Sequence, residues 1–260
     1  MAKAVATKEN TAVAAFDPSM FEEDAGLGNE NITQDDLALP FLKILSGLDP
    51  LLDELEEARK GDIYNTVTGD LYKGSDGILV IPCAYQRRFI EWAPRGSGSG
   101  APVNIFTPDD NRPKTERSRE DNREYVVGGE GTYIEDTHQH YVLVLNEDGS
   151  AQPALIAMKS TQLKKSRKWN SMIQGRMATG KDGRPFVMPR FSHVYKLKSM
   201  KEENSKGSWH GWDVSLEGQV QDVALYGQGK EFARTVMAGD VNVKYSQDDE
   251  NGGNSNDIPF

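Results

Sequence analysis

The sequence contains a single cysteine, Cys83, among 260 residues. One thiol excludes an intrachain disulfide and a zinc site built from four cysteines. No stretch is apolar enough to cross a membrane as a helix, and residues 1–5 lack the apolar core and cleavage site of a secretory signal. These absences predict a cytoplasmic protein with one globular domain plus extensions.

Positive charge is scarce in the chain as a whole but concentrated in one segment. The net charge is −10. Residues 1–62 hold five Lys and Arg against fourteen Asp and Glu, whereas residues 159–201 hold twelve Lys and Arg against one acidic residue, Asp182. An acidic protein with one dense basic segment is suited to binding a polyanion locally, and nucleic acid is the most common polyanion.

Composition divides the chain into four parts. Residues 1–30 are polar and small, which predicts a disordered N-terminus. Residues 31–60 carry apolar residues between helix-boundary signals, which predicts a helical extension. Residues 61–240 alternate like strands and form the predicted domain, with a Gly/Ser-rich and then charged stretch at about 94–124 that predicts a mobile loop. Residues 241–260 form a predicted acidic, disordered tail.

The order of elements within the domain indicates its fold class. Extended segments precede an amphipathic helix at about 160–178, a hairpin follows at about 186–217, and a last helix covers about 219–237. This order predicts a mainly β fold with flanking helices, specifically an OB-like five-stranded barrel, which is a common scaffold for binding oligonucleotides.

The basic segment also carries aromatic residues, and binding of single strands uses both: cations follow the phosphates and rings stack on bases. Trp169 lies beside the basic helix positions, Trp209 falls on a polar face of the hairpin, and Trp212 falls on its apolar face. Trp169 is also compatible with the core. The residues predicted to bind single-stranded DNA are Lys164, Lys165, Arg167, Lys168, Trp169, Arg190, Lys196, Lys198, Trp209, Arg87, Arg88 and Trp92.

Residues suited to catalysis or metal binding do not combine into a site in the sequence. His138 and His140 share one side of a predicted strand, but no third metal ligand accompanies them. The Gly227–Lys230 segment lacks the spacing of a phosphate-binding loop, and Cys83 has no assignable catalytic histidine. The sequence therefore predicts a protein that is not an enzyme and that has no cofactor and no metal.

The C-terminus ends in a short apolar tip on an acidic spacer. From Ser246 onward there is no Lys or Arg, and the chain closes with Asp257, Ile258, Pro259 and Phe260. The acidic spacer cannot bury enough surface to order itself. The stiff Pro259, the ring of Phe260 and the terminal carboxylate predict a peptide that docks in a pocket of another protein.

This tail resembles the C-terminus of bacterial and phage single-stranded DNA-binding proteins, which end in an acidic run and Asp-Ile-Pro-Phe or a close variant. The resemblance covers about fifteen residues and is complete at the last four. It implies recruitment of replication, repair and recombination proteins. The remainder of the chain lacks the short domain and long Gly/Gln-rich linker of the bacterial housekeeping members, which indicates a phage-encoded relative acting in the host cytoplasm.

Together these features predict a protein that coats single-stranded DNA and recruits partners through its tail. Three alternatives stay open: a transcription co-activator that contacts RNA polymerase, a single-strand annealing protein that forms rings or filaments, and a nuclease. An oligomer is compatible with the sequence. The tail could also compete with DNA for the basic segment, because the two carry opposite charge.

Overall fold

The computed structural model describes residues 18–33, 36–94, 96–97, 99–204 and 207–246. The chain divides into two compact units after Leu37. The first unit contains the short helix α1 (Pro18–Glu23). The remaining helices and strands of the described residues belong to the second unit, which begins at Ala38.

The second unit is mainly β, as the alternating sequence pattern predicts. Its strands are β1 (Leu42–Ile44), β2 (Ile63–Asn65), β3 (Leu71–Tyr72), β4 (Ile78–Trp92), β5 (Asn104–Phe106), β6 (Thr115–Arg117), β7 (Glu124–Val126), β8 (Tyr133–Leu145), β9 (Ala151–Lys159), β10 (Met177–Thr179), β11 (Pro185–Val187), β12 (His193–Asn204) and β13 (Gly207–Gln219). Its helices are α2 (Leu51–Glu54), α3 (Leu163–Gln174) and α4 (Val223–Ala238). No helix among the described residues is both long enough and apolar enough to cross a bilayer.

One antiparallel sheet dominates the unit and curls into a half-barrel. Its strand order is β13-β12-β4-β8-β7-β6, with β5 paired to β4 and β9 paired to β8. The register between β4 and β8 shifts between Pro82 and Ala84, and such a bulge bends a strand and increases its twist. The mainly β class with flanking helices is therefore confirmed. Two small sheets, β1-β2-β3 and β10-β11, complete the strands.

The prediction of helix across residues 31–60 is wrong for its apolar centre. Leu42 and Ile44 are buried in β1, which pairs with β2, and Phe41 beside them is also buried. Their spacing of two places both side chains on one face of a strand, and tertiary packing overrides the helical interpretation of a short apolar run. Downstream, helix α2 has only four residues.

The segment at 94–124 is not simply a loop, because β5, β6 and the start of β7 lie within it. The buried carboxylate of Glu91 in β4 helps to hold this segment against the main sheet. Glu91 accepts a hydrogen bond from the amide of Asn104 at 2.7 Å and another from the hydroxyl of Thr132 at 2.7 Å. Charged residues in this segment led to the prediction of a loop, but Arg117 and Glu124 are opposite each other across β6 and β7.

The two long helices lie on opposite faces of the main sheet. Val80 and Ile81 follow one another in β4, so their side chains point to opposite faces. Val80 belongs to the buried cluster that contains Trp169 and Ile173 of α3. Ile81 belongs to the cluster against which Phe232 of α4 packs. The basic helix and the last helix therefore present separate surfaces to solvent.

Helix α4 has clear boundaries and a close approach to the sheet. The carboxylate of Asp222 accepts hydrogen bonds from the backbone of Ala224 at 2.6 Å and Leu225 at 3.1 Å, which is an N-terminal cap. Gly239, with a φ of +85°, ends the helix. A Cβ at Gly229 would lie 3.0 Å from the Cβ of Phe191, so this glycine serves packing against the sheet.

Gly77, between β3 and β4, occupies a position where both the backbone conformation and the available space favour glycine. Its φ is +73°, and a Cβ there would collide with the carbonyl oxygen of Leu197 in β12. Replacing Gly77 with Ala should lower the free energy of unfolding by about 3 kcal/mol or more, since both backbone strain and a clash are introduced. Urea denaturation of the full chain measures the change.

Gly149→Ala is the matched control for Gly77→Ala. Gly149 has a similar φ of +84° but open space around its Cβ position. Its replacement introduces backbone strain alone and should cost about 1–2 kcal/mol. Equal losses in the two variants would contradict the steric role of Leu197.

Candidate nucleic-acid interface

Helix α3 turns a row of cations toward solvent. Ser166, Trp169 and Ile173 are buried, whereas Lys164, Arg167 and Lys168 are exposed. The spacing of three and four residues puts each set on one side of the helix. No ion pair within the described residues engages the three exposed cations. We call Lys164, Arg167 and Lys168 the cationic face.

A fourth predicted cation, Lys165, is held in an ion pair next to Trp209. The ammonium of Lys165 lies 2.6 Å from the carboxylate of Glu202 in β12. Glu202 is directly opposite Trp209 across the β12–β13 ladder. Trp209 is half-buried, and its buried indole nitrogen makes no hydrogen bond to the described residues. The structure therefore brings Trp209 close to the helix that carries the cationic face.

Trp169 and Trp92, both predicted to contact DNA, are core residues instead. Trp169 is fully buried and stacks on the imidazole of His140 with ring centroids 4.5 Å apart. Trp92 is 1% exposed, and its indole N–H donates to the carboxylate of Glu135 at 3.2 Å. Trp169 lies on the same buried side of α3 as Ser166 and Ile173, and Trp92 at the end of β4 is buried with Ile90 and Tyr133. Trp212 is buried, as predicted from its place on the apolar side of the hairpin.

The predicted arginines separate rather than line one channel. Arg87 makes two hydrogen bonds to Asp136, at 2.8 and 2.7 Å. Arg88 is the next residue along β4, so its side chain points to the other face, where it donates to the amide oxygen of Gln86 at 2.6 Å. The Arg190 guanidinium is held beneath α3, as described below.

Lys196 and Lys198 also separate from the cationic face. They alternate along β12 with Tyr195 and Leu197, which are buried in the cluster that contains Trp169. The two lysines therefore point away from that cluster. Alternation along the strand was predicted correctly, but which side of the strand the basic helix covers depends on tertiary packing and does not follow from the pattern.

Beneath α3 a chain of hydrogen bonds connects polar side chains that sequence reasoning did not combine. The hydroxyl oxygen of Ser166 lies 2.7 Å from Nδ1 of His138 and 2.7 Å from Nε2 of His140. Nη2 of Arg190 lies 2.9 Å from Nδ1 of His140 and 2.9 Å from the side-chain oxygen of Asn170. We call the sequence from Arg190 through His140 and Ser166 to His138 the polar chain.

The donors of the polar chain determine its protonation. Arg190 can only donate, so Nδ1 of His140 must accept. Neutral His140 then carries its proton on Nε2 and donates to Ser166, which leaves the Ser166 proton for Nδ1 of His138. His138 in turn carries its proton on Nε2, 3.8 Å from the carboxylate of Asp136. Both imidazoles are thus neutral, with the proton on Nε2.

The surroundings keep both imidazoles neutral. Burial, followed by the positive charge of Arg190, holds the pKa of His140 well below its usual 6.5. Burial also lowers the pKa of His138, and the opposing charge of Asp136 does not overcome it. Burial reduces the pKa of Arg190 to about 10, so that guanidinium remains protonated near neutrality. These directions agree with the hydrogen-bond pattern.

Cys83, His138 and His140, which are residue types often used in catalysis and metal binding, are all buried. The Cys83 thiol is buried, and burial raises its pKa to about 12, so it does not supply a thiolate near neutrality. Ser166 lies between His138 and His140, where a metal would otherwise bridge them. No group of three or more His, Cys, Asp or Glu side chains suited to a metal occurs among the described residues.

Replacing Ser166 with Ala should remove two hydrogen bonds and leave two buried imidazole nitrogens without partners. Each unsatisfied group costs about 1–3 kcal/mol, so we expect a loss of about 2–6 kcal/mol in the free energy of unfolding. Ser171→Ala on the same helix is the control, because Ser171 is exposed, and its cost should stay within about 0.5 kcal/mol. Chemical denaturation measures the free energy of unfolding of both variants. Equal values for the two would contradict a stabilising role of Ser166 in the polar chain.

Stability should also depend on pH through the two histidines. The unfolded chain takes up protons on imidazole near pH 6.5, whereas the folded chain resists them. The unfolded state then binds more protons, so the free energy of unfolding falls as pH drops through this value. Urea titrations from about pH 8 to pH 5 measure the slope, which His140→Gln should reduce. Nitrogen-15 spectra of the native chain should show both rings protonated on Nε2 at neutral pH.

Comparison with known proteins places the chain in a family but supplies no solved relative. No curated protein and no solved structure matches it. Residues 7–242 match the family described as Pam3 phage gp34-like protein. This match includes β1 through β13, the cationic face and the polar chain. The chain therefore belongs to the Pam3 phage gp34-like protein family.

Proposed function

We propose that this chain binds single-stranded DNA with little sequence preference during phage replication and recombination, and that it recruits other proteins through its C-terminal segment. The observation that carries the proposal is the cationic face of α3. Three exposed cations lie side by side on a helix whose other side is fixed in the core. Cations held in a row can follow successive phosphates of an unpaired strand.

The charge distribution supports local binding despite the net charge of −10. Acidic residues concentrate near the two ends of the chain, while residues 159–201 are almost free of them. Counterions released from the phosphates supply most of the free energy of such binding. We therefore expect an affinity that decreases steeply as salt concentration rises.

In this proposal, stacking of bases on tryptophan contributes less to the free energy of DNA binding than the sequence alone indicates. With Trp169 and Trp92 in the core, Trp209 is the predicted tryptophan that lies near the cationic face with part of its surface accessible. A base stacked on one aromatic ring gains about 1–3 kcal/mol. We propose that Trp209 supplies one such contact and that phosphate contacts supply the remainder.

Within the mainly β class, we propose that the fold is an OB-like barrel. The curled antiparallel sheet, with a helix between β9 and the β12–β13 hairpin, is compatible with that scaffold. Small OB barrels bind oligonucleotides on a strand surface and its neighbouring loops. In this chain we place the strand instead along α3 and the adjoining hairpin.

The prediction of disorder across 241–260 is wrong at its start, because Val241, Val243 and Tyr245 pack against buried residues. Residues 247–260 lie outside the described part of the chain, so the role of the tail rests on its sequence. We propose that Asp257, Ile258, Pro259 and Phe260 dock in a pocket of a replication or recombination protein, or of RNA polymerase. Because residues 247–260 are acidic and carry no cation, they are repelled by DNA and remain available to a partner. The chain acts in this proposal as a binding protein and not as an enzyme.

The direct test compares a fluorescent oligo-dT with a duplex of the same length, at two salt concentrations, by anisotropy. We expect tighter binding of the oligo-dT and a loss of affinity with salt. Equal affinity for duplex and single strand would overturn the proposal.

Replacing Lys164, Arg167 and Lys168 together with Ala should weaken oligo-dT binding and flatten its salt dependence. Each phosphate contact contributes about 0.7 to the slope of log affinity against log salt for single strands, so the slope should fall by about 2. The matched control replaces Lys230, Arg234 and Lys244 with Ala. These are also two lysines and one arginine, they are exposed, and they lie on or after α4. An equal loss in both variants would indicate a general charge effect and not a site on α3.

A further inference from the structure

A cleft with both apolar and charged lining residues opens beside β4 and β8, at the hairpin formed by β6 and β7. Its volume is about 290 Å³, near the lower end of the range for small-molecule sites. Its lining combines one ring, one cation and two carboxylates with smaller side chains. The lining residues are Phe89, Arg112, Pro113, Thr115, Glu124, Ile134 and Asp136.

Arg112 provides the cleft with an unused hydrogen-bond donor. Its guanidinium lies flat enough over Phe89 that the guanidinium carbon is 3.4 Å from the ring centroid. This contact holds the cation at the wall of the cleft. Nη1 of Arg112 is buried and makes no hydrogen bond to any described residue. A buried donor without an acceptor is costly, so it is suited to a ligand that brings one.

Two carboxylates provide acceptors on the same cleft. Glu124 accepts a hydrogen bond from the hydroxyl of Thr115 at 3.1 Å and lies 4.0 Å from Arg117. Asp136 is held by Arg87 through two hydrogen bonds. Each carboxylate has about four acceptor positions, so both can accept further donors. The pair also disfavours a phosphate in the cleft, because like charges repel.

The cleft lies next to the cationic face. Asp136 is 3.8 Å from the ring of His138, which is hydrogen-bonded to Ser166 of α3. The charge of Arg167, on the exposed side of α3, contributes to the lowered pKa of His138 after burial and the charge of Arg87. A strand whose phosphates follow α3 can therefore reach the cleft with a base.

We propose that the cleft receives one nucleobase that carries an exocyclic amino group, an inference that rests on the proposed binding of single strands. Cytosine has adjacent complementary groups: its amino group donates to a carboxylate, as acidic side chains do with this base, and its ring nitrogen accepts from Arg112. Thymine has a carbonyl oxygen in place of the amino group, and that oxygen would face Glu124 or Asp136. Cytosine is therefore favoured over thymine.

The test compares oligo-dC with oligo-dT of equal length on the full chain. Because both carry the same phosphates, the ratio of their affinities cancels the contribution of the cationic face. One base correctly hydrogen-bonded typically discriminates by about fivefold or more, and we expect at least that preference for oligo-dC. Equal affinities for the two oligonucleotides would overturn the inference while leaving the proposed function intact.

Glu124→Gln should bring the ratio close to one, mainly by improving oligo-dT binding, because it removes the charge that opposes the thymine carbonyl. Glu116→Gln is the matched control. Glu116 lies on β6 beside the cleft residue Thr115, is exposed, and does not line the cleft. It should raise both affinities alike and preserve the ratio. A ratio unchanged in Glu124→Gln, or lost in both variants, would contradict the assignment to this cleft.

Titration with free nucleotides tests the cleft independently of binding to a single strand, and so distinguishes failure of this inference from failure of the proposed function. If the chain bound neither oligonucleotide, the proposed function would be wrong, but the cleft could still be examined alone. Deoxycytidine monophosphate should then shift the backbone amide signals of Thr115 and Ile134 in NMR spectra, whereas thymidine monophosphate should not. Shifts from both nucleotides alike, or from neither, would overturn the inference.

Discussion

The hydrogen-bonded contact of Ser166 with His138 and His140 sets the orientation of α3, and the surface of the molecule depends on that orientation. Successive residues of a helix are turned by about 100°. A rotation by one residue would take Ser166 away from both imidazoles and carry Arg167 toward the core. Burying an unpaired cation costs much more than any gain from such a movement. The polar chain and Trp169 thus determine which side of the helix meets solvent.

The same arrangement explains how an acidic protein can keep a basic surface. Lys165 is neutralised by Glu202 and Arg87 by Asp136, so the predicted cations are not equivalent. The three of the cationic face stay without such partners among the described residues, while Arg190 supports the sheet side of α3. Charge that looks continuous in the sequence is divided by the fold into surface charge, paired charge and buried charge.

Sequence patterns predicted the strands and the amphipathic helix well because they reflect local geometry. The extended segment from Ile78 to Trp92 was predicted from its run of strand-forming residues, and the burial of Trp212 follows from alternation. Sequence patterns gave the wrong prediction where the conformation or burial of a residue depends on a neighbour that is distant in the sequence. Phe41, Leu42 and Ile44 have a place in a strand only because β2 lies beside them, and Trp169 is buried because His140 offers a ring to stack on.

The candidate site was predicted in part for a related reason. Lys164, Arg167 and Lys168 could be recognised from helical spacing, since all three lie on one element. Asp136, Ser166 and Asn170 could not be combined in advance, because their proximity depends on how α3 crosses the sheet. The sequence signal that did exist was the pair His138 and His140 on one side of a strand, which indicates a shared polar environment but does not name its other members.

The outermost long strand of the sheet, β13, has one of its outward amides occupied from within the same chain. The side-chain oxygen of Gln162 accepts a hydrogen bond from the backbone of Trp212 at 2.9 Å, and the absence of a side chain at Gly211 leaves room for it. A neighbouring molecule cannot add a strand across the middle of this border without expelling Gln162. Copies of the chain that associate edge to edge would therefore have to do so elsewhere than at the middle of β13.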